Sequence, residues 1–234
     1  MKILAIDTTT KIASCTILND GKYFTESIAN EITHSEKLLP IIDKTFTKTN
    51  LKLNDIDMYA VINGPGSFTG LRIGLATLKA FAQVNDKATF SISSLDLIGY
   101  TAFKSENVNE AYVLSIIDAR NSRVYYSISK MTKKDNKIKI EEIYSVTNDI
   151  LSDAIEKIKS VITDKNIIIA GTILDDFKAE ISEISESIKD LYPSTEDLID
   201  AYMNLSNIED YMYNAYTLDA LYARPSQAER VSGK

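Results

Sequence analysis

The sequence holds one cysteine (Cys15) and one histidine (His34) in 234 residues. A single thiol cannot form an internal disulfide, so nothing points to a stapled secreted scaffold. A single imidazole excludes His-rich metal sites and leaves a Ser-His-Asp triad only one candidate base. Cations are also in the minority: 26 Lys and Arg against 33 Asp and Glu give a net charge of −7. That balance disfavours tight nucleic-acid binding by the chain alone, because counterion release needs clustered bases. No apolar run approaches the roughly 18 residues of a membrane span. The first apolar stretch, Ile3-Leu4-Ala5-Ile6, meets Asp7 at once and is too short for a secretory signal. The expectation is a cytoplasmic protein without membrane contact.

What is present is ordinary for a globular chain: 44% apolar and 25% charged residues. The length allows one large domain or two small ones. Charge is unevenly placed. Residues 141–200 hold fifteen acids and five lysines, so they carry −10 and the rest +3. The one basic cluster is Lys130, Lys133, Lys134, Lys137 and Lys139, around the turn signal Asp135-Asn136. It reads as a solvated hairpin loop, since few aromatics are interleaved with it.

The pattern of elements begins with a strand over 2–7 and a second over 13–18. The turn Asn19-Asp20-Gly21-Lys22 leads to a third over 23–28, because Asp and Gly tolerate positive φ. Thr33-His34-Ser35-Glu36 fits a capping box, and Leu38, Leu39, Ile42 and Phe46 recur at helical spacing behind it. Pro40 falls inside that helix. A strand over 58–63, a helix over 71–84, a strand over 88–92 and a helix from Ser93 or Ser94 follow. The order then restarts: strands over 112–118, 124–129 and 137–146, a helix over 152–161 and a strand over 166–171. Two duplicated β-β-β-α-β-α subdomains are therefore expected in an α/β protein, divided at the polar stretch 104–110, into 1–106 and 107–234.

Four of the eight glycines lie in one segment, Asn63-Gly64-Pro65-Gly66-Ser67-Phe68-Thr69-Gly70-Leu71-Arg72-Ile73-Gly74, between a strand and a helix. Glycines let backbone approach a neighbour closely, and a helix start attracts anions. Asp7, Gly64, Gly66, Ser67, Gly70 and Asp118 are thus candidate phosphate-binding residues. The segment is neither a Walker loop nor the dinucleotide fingerprint. A purely architectural strand-to-helix turn stands beside that reading. In the following helix nine of the fourteen residues 71–84 are apolar, nearly all round. Either the core wraps this helix or one face meets another chain.

Taken together, Ile3-Leu4-Ala5-Ile6-Asp7-Thr8-Thr9, His34-Ser35-Glu36-Lys37-Leu38-Leu39-Pro40, the glycine segment, Ser93-Ser94-Leu95 and Ile117-Asp118-Ala119-Arg120 resemble the bacterial TsaB (YeaZ) family. The ending Tyr222-Ala223-Arg224-Pro225-Ser226-Gln227-Ala228-Glu229 is similar too; residues 130–215 are less so. The resemblance implies the actin-like ATPase (ASKHA) fold. It implies a role in adding threonylcarbamoyl to adenosine 37 of tRNAs that read codons beginning with A. It further implies a heterodimer with the transferase TsaD, joined by the ATPase TsaE, with tRNA met only through the complex.

The TsaD type holds a metal with a His-x-x-x-His pair, and this sequence has Ser94-Leu95-Asp96-Leu97-Ile98 there. A chain with one His and one Cys cannot build the usual N/S metal site. The expectation is a pseudoenzyme with no catalytic residues, metal or cofactor of its own. The expected partner interface is made by His34, Leu38, Leu39 and Ile42 on the first helix with Leu71, Leu75 and Leu78 on the second. The same face would form a homodimer when TsaD is absent. The competing reading is a small ATP-dependent kinase or ATPase using Asp7, Asp118 and the 64–70 turn. Asp at a strand end is also an ordinary turn former, and Cys15 in a strand-like run reads as a small buried hydrophobe.

Overall fold

The computed structural model describes residues 1–29, 34–161, 167–172, 181–182, 184–185 and 187–223, with His34, Ser35 and Val161 described by backbone alone. The expected cap at Thr33, the start of the 166–171 strand and the family-like ending at 224–229 lie outside the described residues. The chain forms two compact units. One is Met1–Ser94 with Pro193–Met203 and Ile208–Tyr222; the other is built from Leu95–Tyr192 and Asn204–Asn207.

In the first unit β1 (Ile3–Asp7), β2 (Ile12–Asn19) and β3 (Lys22–Ala29) form an antiparallel meander. Asp20 and Gly21 both take positive φ, as a two-residue hairpin requires. Helix α1 (His34–Thr49) leads to β4 (Met58–Ile62), which pairs parallel to β1. Helix α2 (Phe68–Asn85) then leads to β5 (Thr89–Ile92), parallel to β4. β1 and β4 lie in the sheet interior, and every residue of both is buried, which is why they read as unbroken apolar runs and not as alternation.

Helix α3 (Ser94–Ser105) leads into the second unit, where the scheme repeats. β6 (Glu110–Asp118), β7 (Arg123–Lys134) and β8 (Lys137–Ile150) form a meander whose turn again has two left-handed residues, Asp135 and Asn136. Helix α4 (Leu151–Val161), β9 (Ile167–Gly171) and β10 (Ser187–Asp190) follow. Helix α5 (Thr195–Asn204) and the short β11 (Met212–Tyr213) return to the first unit. The sheet orders are β11-β5-β4-β1-β2-β3 and β10-β9-β6-β7-β8. Replacing each strand of the first by its successor five places on gives the second, apart from β11. The duplication in element order is therefore a duplication of topology, in an α/β fold.

One face of the first sheet carries Leu4, Ile6, Ala13, Cys15, Ile17, Tyr59 and Val61, closed by Leu38, Ile41 and Ile42 of α1 and Leu75, Leu78 and Ala82 of α2. In the second unit Leu114, Ile116, Ile128 and Ile169 pack on Ala154 and Ile158 of α4. Each buried Leu or Ile among them contributes about 1.5–3 kcal/mol by leaving water. Among the described residues, no helix is long and apolar enough to cross a membrane.

Candidate functional site

The glycine segment leaves β4 and is stitched on four sides within its own unit. The Asn63 amide donates to the Ile92 carbonyl at 3.2 Å, and the Ser94 amide to the Gly64 carbonyl at 2.7 Å. The Ser94 hydroxyl donates to the Pro65 carbonyl at 2.9 Å. The Ser67 amide donates to the Thr9 carbonyl at 2.7 Å. A side chain on Gly66 would meet that same carbonyl at 2.5 Å. The Thr8 hydroxyl donates to the Gly70 carbonyl at 2.7 Å and lies where a Cβ on Gly74 would stand. The glycines thus admit the turn after β1, which is the close neighbour their small size calls for.

Helix α2 starts at Phe68, three residues before the expected Leu71. Ser67 is its N-cap, its hydroxyl accepting from the Gly70 amide at 3.2 Å. The pattern Ser-x-x-Gly just before the apolar run was the overlooked signal. Of the amides at this helix start, those of Ser67 and Gly70 are already paired inside the chain. Gly64 sits at φ +110, with the Leu221 carbonyl 2.9 Å from where a Cβ would be.

Asp7 and Asp118 occupy equivalent ends of β1 and β6. The Thr9 amide donates to Asp7 Oδ1 at 2.8 Å, and the Arg120 amide to Asp118 Oδ1 at 2.6 Å. Each carboxylate accepts from the amide two residues on, as in an Asx-turn. The turn-forming role is therefore built at both sites. Their surroundings differ. Asp118 is exposed, whereas Asp7 is buried and its carboxyl is pushed up to about 6 by desolvation, partly offset by the Thr9 amide and hydroxyl and the Thr8 amide. Burial also pushes the Cys15 thiol up to about 12, far from a reactive thiolate.

The expected interface residues need a correction. Leu38, Ile42, Leu71, Leu75 and Leu78 are buried in the chain itself, and all but Leu71 belong to the core cluster. Side chains that close the sheet's own face cannot also present themselves to a partner. Of the residues named, Leu39 is exposed, at 56%, and the His34 side chain lies outside the described residues. Both helices do have an outer face. On α2 the exposed positions Phe68, Arg72, Ala76, Ala80 and Val84 recur every four residues and form one line.

The all-round apolar character of α2 has a cause invisible in local sequence. After β11 the chain runs back along α2. Leu218 and Ala215 enter the core cluster. Lys79 Nζ donates to the Leu218 carbonyl at 2.8 Å, Gln83 Nε2 to the Tyr216 hydroxyl at 3.3 Å, and Arg72 Nε to the Tyr222 hydroxyl at 3.1 Å. The Leu221 amide donates to the Asn63 carbonyl at 2.8 Å. The Arg72 guanidinium lies 4.0 Å from the Phe68 ring centroid, and Phe68 and Tyr222 have centroids 5.2 Å apart. The sheet, α1 and this strap share α2 between them.

At the start of α3, Ser94 is tied to Pro65 and Ile98 is buried. Among the described residues, no group of three His, Cys, Asp or Glu side chains could hold a metal ion.

Comparison with known proteins places this geometry in a family. The sequence model of the family described as TsaD, tRNA N6-adenosine threonylcarbamoyltransferase, matches residues 27–209. The tRNA threonylcarbamoyladenosine biosynthesis protein TsaB of Haemophilus influenzae is 34% identical over 127 residues, 54% of this chain and 53% of that protein. The chain thus spans about half the length of that curated relative. TsaB of Buchnera aphidicola is 27% identical over 199 residues, 84% of this chain and 90% of that protein. The solved structure of YeaZ from Pseudomonas aeruginosa superposes with a TM-score of 0.70 at 21% identity, covering 94% of this chain and 99% of that one.

Proposed function

Because this chain belongs to the TsaD family, and within it to the TsaB (YeaZ) members, we propose that it is the partner subunit of a TsaD transferase in tRNA threonylcarbamoyladenosine formation. In this reading it supports TsaD, is joined by TsaE, meets tRNA only in the complex and does no chemistry itself. One observation carries the non-catalytic part: where the transferase type places a metal-holding His pair, Ser94 is bonded to the glycine segment and Ile98 is buried.

Partner docking in this proposal uses the outer faces of α1 and α2, with Leu39, Ala76, Ala80 and Val84 at their centre. The small alanines let a related helix approach closely, and the exposed apolar ends supply area to bury. In the absence of TsaD the same faces form a homodimer. The pairing of the Ser67 and Gly70 amides inside the chain weighs against the competing kinase or ATPase reading. Reconstitution decides the matter. The chain and TsaD from the same source, with TsaE, should modify tRNA together, and neither this chain alone nor the mixture lacking TsaD should do so. Turnover by the purified chain, or binding heat on titration with Mg-ATP, would refute the reading.

A further inference from the structure

Five buried side-chain oxygens have no hydrogen-bond partner among the described residues, and three of them, Asn63 Oδ1, Thr89 Oγ1 and Ser91 Oγ, fall at the β4–β5 side of the first sheet. These three share one face. Tyr59 pairs with Thr89 and Val61 with Ser91 across the parallel ladder, and side chains of paired residues stand on the same side. Tyr59 and Val61 point into the core cluster closed by α1 and α2, so both hydroxyls do as well. Asn63 continues the alternation of Tyr59 and Val61.

The strap after β11 runs over all three oxygens and bonds to none of them. It starts at Asn214, next to Tyr213, whose register partner is Thr89. It ends beside Asn63, where the Leu221 amide donates to the Asn63 carbonyl at 2.8 Å and Asn63 Nδ2 to the Asp219 carbonyl at 3.4 Å. The strap is also folded upon itself. Asn214 Oδ1 accepts from the amides of Tyr216 and Thr217 at 2.8 and 3.0 Å, the Thr217 hydroxyl accepts from the Asn214 amide at 3.0 Å, and the Leu218 amide donates to the Asn214 carbonyl at 3.0 Å. Its grip on the unit is narrow by comparison. Ala215 and Leu218 are its only buried side chains, and Lys79 is the pin on the Leu218 carbonyl. An internally bonded segment with few anchors moves as one piece. Opening would give the three orphaned oxygens water, which offsets part of the cost of exposing Ala215 and Leu218. The far end of the strap touches the outer line of α2, since Tyr222 stacks on Phe68 and accepts from Arg72.

We propose that residues 214–222 are a conformational latch: they lift from α2 in one piece while the sheet and α1 stay closed, and partner docking on the outer line of α2 holds them shut. The second clause rests on the partner role proposed above. With the latch shut, Tyr222 and Phe68 form one aromatic step beside the Arg72 guanidinium at the start of the line. With it open, that step is lost. A helix seated on the line therefore binds the shut state better and shifts the equilibrium towards it.

Amide hydrogen exchange of the full chain, read by mass spectrometry, tests this. Peptides from 214–222 should exchange at least about tenfold faster than those from β1 and β4, which open only with the whole unit. The double variant Thr89→Val, Ser91→Ala removes the orphaned hydroxyls at nearly constant shape, so it should slow exchange of the strap at least about fivefold. Lys79→Met takes away the pin and should speed it at least about threefold; this variant decides if the first does not fold. Strap exchange equal to that of β1 and β4 would overturn the latch. So would strap exchange unchanged by the variants. The chain is then mixed with saturating TsaD, and the complex is verified by size-exclusion chromatography. Strap exchange should slow at least about fivefold further. A complex that forms and leaves 214–222 exchanging as before would overturn the coupling to docking. If no complex forms, the partner reading falls, and exchange of the chain alone still decides the latch.

Discussion

Replacing Gly74 by Ala tests whether the glycine segment is a lock between α2 and the turn after β1. Intrinsic helix propensity alone favours Ala in mid-helix by about 1 kcal/mol. The structure argues the other way. A Cβ at Gly74 would stand closer than 3.0 Å to Thr8 Oγ1, with Thr8 Cβ and Cγ2 at ordinary contact distances of 3.5 and 3.6 Å. The hydroxyl must leave, and its bond to the Gly70 carbonyl, which keeps its own helical partner, breaks. Overpacking and the lost bond together cost about 3 kcal/mol, so the net destabilisation is about 2 kcal/mol once the propensity gain is included. Thr8→Ala alone should cost about 1.5 kcal/mol, for the bond. In the double variant the obstruction is gone and only the Thr8 loss and the propensity gain remain, about 0.5 kcal/mol in all. The double-mutant cycle should therefore show a coupling of about 3 kcal/mol, far outside additivity. Urea denaturation with m-values checked for constancy measures all three variants. A neutral or stabilised Gly74→Ala protein, or an additive cycle, would refute the reasoning.

Other consequences are equally open to measurement. Asp7 has a folded-state value raised from 3.8 to about 6, so the folded state holds the proton more tightly between those values and stability falls as pH rises through that window. The shift amounts to about 3 kcal/mol at neutral pH. Asp7→Asn, which keeps an acceptor for the Thr9 amide, should therefore be more stable than wild type at pH 7.5 and no more stable at pH 3.5; identical pH profiles in urea melts would contradict this. Leu78→Ala empties a fully buried position and should cost about 2–5 kcal/mol in thermal or urea unfolding; a loss of partner affinity without loss of stability would restore Leu78 to the interface. Ala80→Asp, on the outer line of α2, should leave the melting temperature within a few degrees and abolish the complex with TsaD, as read by co-purification. Leu218→Ala removes the strap's apolar anchor and should destabilise the first unit by about 2–5 kcal/mol, visible as faster hydrogen exchange in α2.

Much of the fold could be read locally. β1 and β6 announce themselves as apolar runs that end in Asp, and both hairpins carry Asp-Gly or Asp-Asn where two left-handed residues are needed. The repeat was visible in the order of elements even though residue identity between the halves is slight, because hydrophobic periodicity outlasts sequence similarity. The apolar periodicity puts the start of α2 at Leu71, whereas the Ser67 cap pulls the helix three residues further back. The candidate site was legible as a segment but not as a set of contacts. Asp7, Gly66 and Gly70 do gather around the Thr8-Thr9 turn: the Thr9 amide donates to Asp7, the Thr8 hydroxyl donates to the Gly70 carbonyl, and Gly66 lies against the Thr9 carbonyl.

What the sequence by itself determined is the short-range part: which residues are extended, which are helical, where the chain turns, and that its only imidazole and thiol are too few for the usual N/S metal site. Such features follow from interactions within a few residues. Tertiary structure alone decided which apolar residues are core and which face outward. It showed that α2's excess of apolar surface is met by Leu218, 139–140 positions away from Lys79 and Leu78 along the chain, and that Arg72 is held by Tyr222, 150 residues further on. It also laid the unpaired oxygens of Asn63, Thr89 and Ser91 under one strap. Each of these depends on the closure of long loops, whose entropy is repaid only when the whole unit packs, so no window of sequence contains them.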